Sequence, residues 1–161
     1  MILTSDAIDS RGYFDPRYTC DADNSSPELR WENAPENTAG FALIAEDPDA
    51  NRGLFTHWSI YNIPSKIHHL PAGIPPQEVL PNGIRQGANG YGKLGYSGPC
   101  PPSKESGDQD HHYVFRLYAL AALPEIAPRS TREQVLQAIE PYILARTELT
   151  GRYHRHVQKA G

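Results

Sequence analysis

Three apolar segments of the chain predict the central strands of a sheet. They span 41–46, 58–63 and 113–120, are rich in aliphatic and aromatic residues, and are bounded by residues that break regular structure. Arg116 is the one charge inside 113–120, so we expect neighbouring elements to cover both faces of that strand for most of its length. We expect a long loop, with at most one short strand, over 64–87.

The pattern changes near the carboxy terminus, where helical spacing replaces strand-like runs. A capping-box pattern at 130–133 precedes Val135, Leu136 and Ile139, and predicts one helix. A second helix is predicted after Pro141, over 143–149, with Gly151 ending it. Strands first and helices last favour an all-β sandwich with peripheral helices over an alternating parallel α/β fold.

Size and charge narrow the function classes. The chain has 161 residues, which predicts a single domain spanning 1–161. Its net charge of -4 and pI near 5.9 lack the basic excess that nucleic acids or anionic membranes require. The first residues resemble no secretory signal and no segment is long enough to span a membrane, so we expect no stable membrane insertion and a cytoplasmic protein, provided that no leader was removed.

The two cysteines, Cys20 and Cys100, lie far apart and form no Cys-x-x-Cys motif. Neither a zinc finger nor a thioredoxin-type motif is therefore available. A disulfide between them is one alternative, but in a reducing compartment we expect two separate thiols.

Two glycine-rich motifs look catalytic and are set aside. The segment 87–93 matches the Gly-x-x-x-x-Gly-Lys half of a P-loop, but Leu94 replaces the hydroxyl residue and the following glycines and prolines forbid the helix. The segment 95–99 lacks the spacing of a nucleophile elbow, so Ser97 is interpreted as an ordinary loop serine. Both segments are predicted to be loops.

Two of the seven histidines, His57 and His111, border predicted buried strands. An unpaired polar group would be costly to bury there, so each needs a partner or a ligand. Asp47 ends a predicted strand, and Pro48 restricts it to an extended conformation. The other histidines show no metal-ligand spacing, and we expect exposed side chains for them: His68, His69, His112, His154 and His156.

Several motifs in order resemble the phosphatidylethanolamine-binding protein family, in particular its bacterial and archaeal Raf kinase inhibitor-like branch. The resemblance covers nearly the whole chain through segments at 18–21, 26–31, 33–35, 45–50, 57–64, 92–102 and 111–115. It implies a Greek-key β-sandwich with a small pocket at one end for phosphate, acetate or a phosphoethanolamine head group. The family's pocket residues correspond here to Asp47, Pro48, Asp49, His57, Gly98, Pro99, His111 and Tyr113.

The chain departs from the family's pattern in the segment before the second histidine. An acidic loop at 103–110 precedes His111, and His112 replaces an arginine. We expect Asp110 to favour protonation of the His111 imidazole, and the loop to alter the pocket rim. Ala22 also replaces a glycine, with local consequences only.

The residues and the resemblance together predict a non-enzymatic binding protein without a cofactor. A small phosphate- or carboxylate-bearing ligand would bind His57, His111 and the Gly98 amide, with Asp47 orienting the histidines. The resemblance further implies a kinase or protease partner and is compatible with a homodimer. The alternative is a hydrolase or metal-dependent enzyme that uses His57, His111 and Asp47 as acid, base or ligands.

Overall fold

Two antiparallel sheets make up the core of the computed structural model, which describes residues 1–50, 53–101 and 110–155. One sheet has the strand order β1-β2-β5 and the other β6-β4-β3-β7-β8. Their bounds are β1 Ile2–Thr4, β2 Leu29–Glu32, β3 Gly40–Asp47, β4 Phe55–Pro64, β5 His69–Leu70, β6 Arg85–Gln86, β7 His111–Leu120 and β8 Ile143–Tyr153. The predicted β-sandwich is confirmed, and the three predicted strands are the central β3, β4 and β7.

The main core lies between the two sheets. Alternate residues of β7, including Phe115 and Leu117, face it and meet Leu3, Leu29 and Trp31 of the smaller sheet. A second cluster covers the outer face of the larger sheet, where Ala42, Ile44, Tyr61, Tyr118 and Leu120 pack against Ile126, Val135 and Ile139. Both faces of the central strands are covered, as predicted for 113–120.

The single α-helix among the described residues is α1, Arg132–Ile139, and short 3-10 helices lie at Pro16–Tyr18 and Pro81–Gly83. Thr131 caps it, accepting a hydrogen bond from the Gln134 backbone, while the Gln134 side chain accepts one from the Thr131 backbone. The first predicted helix is therefore confirmed, and a short 3-10 turn at Glu140–Tyr142 follows it.

The second predicted helix is wrong, because 143–153 forms the edge strand β8. Ala145, Thr147 and Leu149 are half-buried, whereas Arg146 and Glu148 are exposed. This alternation has the period of two that a strand requires, and β-branched threonines favour extended backbone. The pairing of β8 with β7 then outweighs the helical spacing of its leucines.

The connections match the sequence-based expectations in most places. Segment 64–87 is a long connection that contains two short strands, β5 and β6, rather than one at most. The loop at 87–101 contains no helix, in agreement with the rejection of a P-loop and of a nucleophile elbow. Within the described residues, no helix is long and apolar enough to cross a bilayer.

Candidate ligand-binding site

A small cavity of about 130 Å³ lies at one end of the central strands. Asp47 is the last residue of β3, His111 is the first of β7, and His57 lies near the start of β4. Because β3 is antiparallel to both neighbours, these three positions meet at the same end of the sheet. The cavity is lined by Asp47, Ala50, Phe55, His57, Tyr91, Cys100, Pro101, His111 and Tyr113.

His111 is held by the Asp47 carboxylate. Its Nδ1 lies 2.8 Å from Asp47 Oδ2, and both side chains are buried. A carboxylate only accepts, so Nδ1 of His111 carries the proton and donates. The other oxygen of Asp47 accepts a 2.7 Å bond from the Asp49 backbone amide. Asp47 is thus fixed from two sides, and it engages only one of the two ring nitrogens of His111.

His57 is held by a different group. Its Nδ1 lies 2.5 Å from the Ser97 carbonyl oxygen, which accepts, so Nδ1 carries the proton. Burial lowers the pKa of His57, and this effect outweighs the opposing influences of the Ser97 carbonyl and of Asp47. The ring is therefore neutral at neutral pH. Its Nε2 is then a hydrogen-bond acceptor.

Aromatic rings form much of the cavity wall. Phe55 lies edge-on to His57 and to Tyr91, at centroid distances of 4.9 and 4.7 Å. Tyr113 lies between the two histidines, 5.3 Å from His57 and 6.4 Å from His111. Burial, aided by the Asp47 charge, raises the pKa of Tyr113 well above its usual range. Its phenol stays protonated and can donate a hydrogen bond.

The remaining predicted site residues lie outside the cavity lining. Pro48 is exposed in the turn after β3, and the half-exposed Asp49 carboxylate accepts bonds from the backbone and ring of His112. Gly98 donates its amide to Asn24 Oδ1 at 2.7 Å. The expectation that this amide faces an anion is therefore corrected, because another acceptor already uses it.

Gly98 and Pro99 instead fasten the loop that carries Ser97 and Cys100. A Cβ at Gly98 would collide with the Tyr18 carbonyl oxygen, so this close approach requires glycine. Pro99 accepts a 3.1 Å hydrogen bond from the Cys20 backbone amide. Both residues hold in place the loop that supplies part of the cavity wall, but neither lines the cavity itself.

The two cysteines form a disulfide, so the expectation of two separate thiols is wrong. Cys20 and Cys100 lie 80 positions apart in sequence, yet their Cα atoms are 5.3 Å apart. The loop contacts made by Gly98 and Pro99 bring them together, and nothing in the local sequence reveals those contacts. Since Cys100 lines the cavity, the cross-link fixes part of its wall.

Asp110, the described end of the acidic segment before β7, does not pair with His111 as expected. Asp110 lies 2.5 Å from Nδ1 of His154, whereas His111 pairs with Asp47. The expected exposure of His154 is corrected as well, since its side chain is 19% exposed. His68, His69 and His112 are exposed as predicted. The expectations for 103–109 and for His156 concern residues outside the described ranges.

Sequence reasoning missed part of the cavity wall. Phe55 precedes His57 by two positions and so shares its face of β4, a signal that the sequence contained. Tyr91 reaches the cavity from a loop because Gly90, which has no Cβ, lies directly against the Phe55 ring. That contact, like the positions of Cys100 and Pro101, has no local sequence signal.

A larger cleft of about 620 Å³ lies elsewhere and contains none of the predicted site residues. Its walls include Asp6, Asp9 and Asp15, which form salt bridges or hydrogen bonds with nearby protein groups. We favour the smaller cavity because its polar groups are buried and aligned by specific partners. Within the described residues, no group of three or more histidine, cysteine or acidic side chains is placed to hold a metal ion.

The fold and the cavity define a β-sandwich with a small histidine-lined pocket at the end of its larger sheet. The family model for phosphatidylethanolamine-binding protein matches residues 4–154. The chain therefore belongs to the phosphatidylethanolamine-binding protein family.

Relatives from three organisms agree with this assignment. A UPF0098 protein of Methanothermobacter thermautotrophicus is 43% identical over 155 residues, covering 96% of this chain and 99% of that protein. The crystal structure of Escherichia coli YbcL, a member of the mammalian PEBP family, has a TM-score of 0.85 at 31% identity and covers 95% of this chain and 97% of YbcL. CT736 of Chlamydia trachomatis, described as a homolog of this family, has a TM-score of 0.82 at 34% identity and covers 95% of this chain and 96% of CT736.

Proposed function

We propose that the chain is a non-enzymatic binding protein whose cavity takes a small phosphate- or carboxylate-bearing group, such as a phosphoethanolamine head group. One observation carries the proposal. The two buried histidines, His57 and His111, each use Nδ1 to bond a protein acceptor, and both rings line the same cavity. Their second nitrogens are the groups that a ligand would meet.

The two imidazoles offer different chemistry to an anion. His111 can donate from Nε2 when protonated, because its Nδ1–H stays on Asp47, whose charge balances the imidazolium. His57 is neutral, so its Nε2 accepts a proton from the ligand. Inorganic phosphate or a phosphate monoester that keeps one proton supplies both an oxygen acceptor for His111 and an O–H donor for His57. The phosphodiester of a lipid head group has no O–H, and its ethanolamine ammonium would donate an N–H to His57 instead.

The charge of the cavity supports the same ligand class. None of the described residues that line it is a lysine or arginine, and Asp47 contributes a negative charge. A fully ionised oxyanion would meet that carboxylate without a fixed cation beside it. A protonated phosphate ester suits such a site better, and the volume of about 130 Å³ limits the buried part of the ligand to a head group of a few heavy atoms.

Family membership adds support of a general kind. The matched family model is named after phosphatidylethanolamine, which is a lipid with a phosphoethanolamine head group. Modulation of a kinase or protease partner stays a prediction from the resemblance. The cytoplasmic location stays a prediction from the amino-terminal residues, and the disulfide is of a kind that persists mainly in oxidising compartments.

Calorimetric titration with inorganic phosphate, O-phosphoethanolamine and sulfate tests the proposal. Sulfate has the shape of phosphate but no O–H at neutral pH, so we expect it to bind at least tenfold more weakly, about 1.4 kcal/mol. Replacing either His57 or His111 by alanine should reduce phosphate affinity at least tenfold. The exposed His68→Ala variant is the matched control and should bind like the wild type.

Two results would overturn the proposal. Phosphate affinity that is the same in His57→Ala, His111→Ala and His68→Ala would show that the cavity is not the binding site. Stoichiometric metal by elemental analysis, or turnover of phosphoester or carboxylester substrates that His57→Ala abolishes, would favour the enzymatic alternative.

A further inference from the structure

We propose that Asn89 is a positioning residue that holds the Ser97 carbonyl against His57 and so makes the cavity select ligands that can donate a proton. The side chain of Asn89 is buried, yet it does not line the cavity. It acts on the ligand only through the loop at 87–101, which follows β6. The inference rests on the proposed function, because it concerns the same cavity.

Asn89 uses both ends of its side-chain amide. Its Oδ1 accepts hydrogen bonds from the backbone amides of Tyr91 and Lys93, at 2.9 and 3.2 Å. Because backbone amides only donate, these two bonds fix which end of the side chain is the oxygen. Its Nδ2 then donates to the Gly95 carbonyl and to Ser97 Oγ, both at 3.0 Å. One buried side chain therefore ties the first half of the loop to the second.

Ser97 is the residue at which this loop meets the ring of His57. The Ser97 amide donates to the His57 carbonyl at 3.0 Å, and the Ser97 carbonyl accepts from His57 Nδ1 at 2.5 Å. The next residue, Gly98, is fixed separately by Asn24. Asn89 secures Ser97 from the amino-terminal side of the loop and through the serine hydroxyl.

The loop is attached to β4 at two points. The Gly90 amide donates to the Thr56 carbonyl at 2.8 Å, and the second attachment is the one between Ser97 and His57. Asn89 directly precedes the first point and bonds the second. Since β4 pairs with β3 and β6 independently of this loop, loss of the Asn89 side chain should release the segment between the two points without unfolding the sheet.

The position of the Ser97 carbonyl decides what His57 offers to a ligand. A neutral imidazole carries one proton, on either of its two nitrogens. Burial lowers the pKa of His57 and keeps the ring neutral, while the Ser97 carbonyl keeps that proton on Nδ1. Nε2 is then an acceptor, which needs an O–H or N–H of the ligand. If the carbonyl moves away, the proton can occupy Nε2 and donate to any oxyanion, sulfate included.

The tautomer of His57, read from the nitrogen chemical shifts of its ring, is the most direct test. We expect the Nδ1–H form in the ligand-free wild type and a population of the Nε2–H form in Asn89→Ala. Ser97→Ala retains the carbonyl and removes one of the four hydrogen bonds of Asn89, so it should cause a smaller shift in the same direction.

Asn62→Ala is the matched control. Asn62 also uses its side-chain amide to hold a loop, donating to the Gly83 carbonyl at 2.8 Å, but it lies near the opposite end of β4. Its replacement removes a comparable bond and should leave the tautomer of His57 unchanged.

Calorimetry with inorganic phosphate and sulfate gives a second readout. The wild type should prefer phosphate about tenfold or more, and in Asn89→Ala this ratio should fall to about threefold or less. The ratio falls because sulfate gains a donor at Nε2 while phosphate loses its acceptor there. Asn62→Ala should keep the wild-type ratio, whereas a purely structural role for Asn89 would weaken both anions alike.

A wild-type His57 in the Nε2–H form would overturn the proposal. So would a folded Asn89→Ala variant that keeps either the Nδ1–H form or the phosphate-to-sulfate ratio of the wild type. If that variant does not fold, Ser97→Ala decides, and an unchanged tautomer or ratio there overturns the proposal equally. The tautomer is measured without ligand, so this failure is distinct from an absence of phosphate binding in the wild type, which would count against the proposed function.

Discussion

Glu46 and Asp47 are adjacent carboxylates at the end of β3, and they have opposite surroundings. Strand alternation directs Glu46 to the outer face, where the Arg116 and Arg132 guanidinium groups bind it. Asp47 points to the cavity, where its partner is His111. Arginine has only donors, whereas an imidazole has two ring nitrogens that can bond two different partners. The same strand therefore holds a carboxylate bound by two arginines on one face and a carboxylate bound by one nitrogen of a histidine on the other.

The comparison distinguishes a carboxylate whose partners are all structural from one that we propose for ligand binding. A buried carboxylate with permanent cations has no capacity left for a ligand. A carboxylate that holds one nitrogen of a histidine leaves the other nitrogen for binding. We therefore assign Glu46 to stability and propose Asp47 for binding, and the predictions below test that division in order of expected effect.

The disulfide should have the largest effect on stability. Replacing Cys20 and Cys100 by serine removes a cross-link between positions 80 apart, and should lower the free energy of unfolding by about 4 kcal/mol. Urea denaturation measures it. Because Cys100 lines the cavity, phosphate affinity should fall as well. Unchanged affinity in the folded double variant would show that this wall does not contribute to binding.

Replacing the carboxylate by an amide, first at Glu46 and then at Asp47, compares the two positions directly. Glu46→Gln removes the buried anion shared by two partly buried arginines, which leaves Arg116 with Glu148 and Arg132 with Glu133. This should cost about 3 kcal/mol of stability, with phosphate affinity unchanged. Asp47→Asn should cost about 1 kcal/mol but reduce phosphate affinity roughly tenfold. Urea denaturation and calorimetry on both variants measure the two quantities. Equal losses of affinity would contradict the division.

The buried neutral His57 should make stability depend on pH. Burial lowers its pKa in the folded state below the unfolded value of 6.5, so the unfolded chain binds more protons between the two. Its contribution to stability is complete above the unfolded pKa and declines as pH falls through the folded pKa. Urea denaturation should show a smaller loss on acidification in His57→Gln than in the wild type. Identical pH profiles would show that His57 does not titrate as described.

The smallest effect is expected at Asp49, a predicted site residue whose carboxylate lies outside the cavity. Asp49→Ala removes a half-exposed pair with His112, which should change stability by less than about 1 kcal/mol. Its backbone amide still bonds Asp47, so phosphate affinity should stay within about twofold. A tenfold loss of affinity in calorimetry would show that the Asp49 carboxylate belongs to the site.

The sequence alone predicts the central strands of the sandwich and the three polar residues that lie at one end of them. The segments around Phe41, Trp58 and Phe115 are long apolar runs, and antiparallel pairing of such runs brings Asp47, His57 and His111 together. The spacing of Ile143, Leu144 and Leu149 predicts a helix, whereas the half-buried alternation that indicates the edge strand β8 is weak.

The rest of the site depends on contacts between loops that are distant in sequence. The Cys20–Cys100 bond, the capture of the Gly98 amide by Asn24 and the approach of Tyr91 to Phe55 all join separate loops. Each is set by the packed core beneath it rather than by neighbouring residues. A single sequence contains no local pattern for such contacts.

Histidine side-chain NMR during titration with O-phosphoethanolamine tests the central proposal most directly. We predict that the His57 and His111 ring signals shift together and saturably, while the exposed His68 signal stays in place, and that His57→Ala and His111→Ala weaken the response. If neither His57 nor His111 shifts at saturating ligand, these histidines are structural, and the family membership of this chain would describe its fold without the proposed binding.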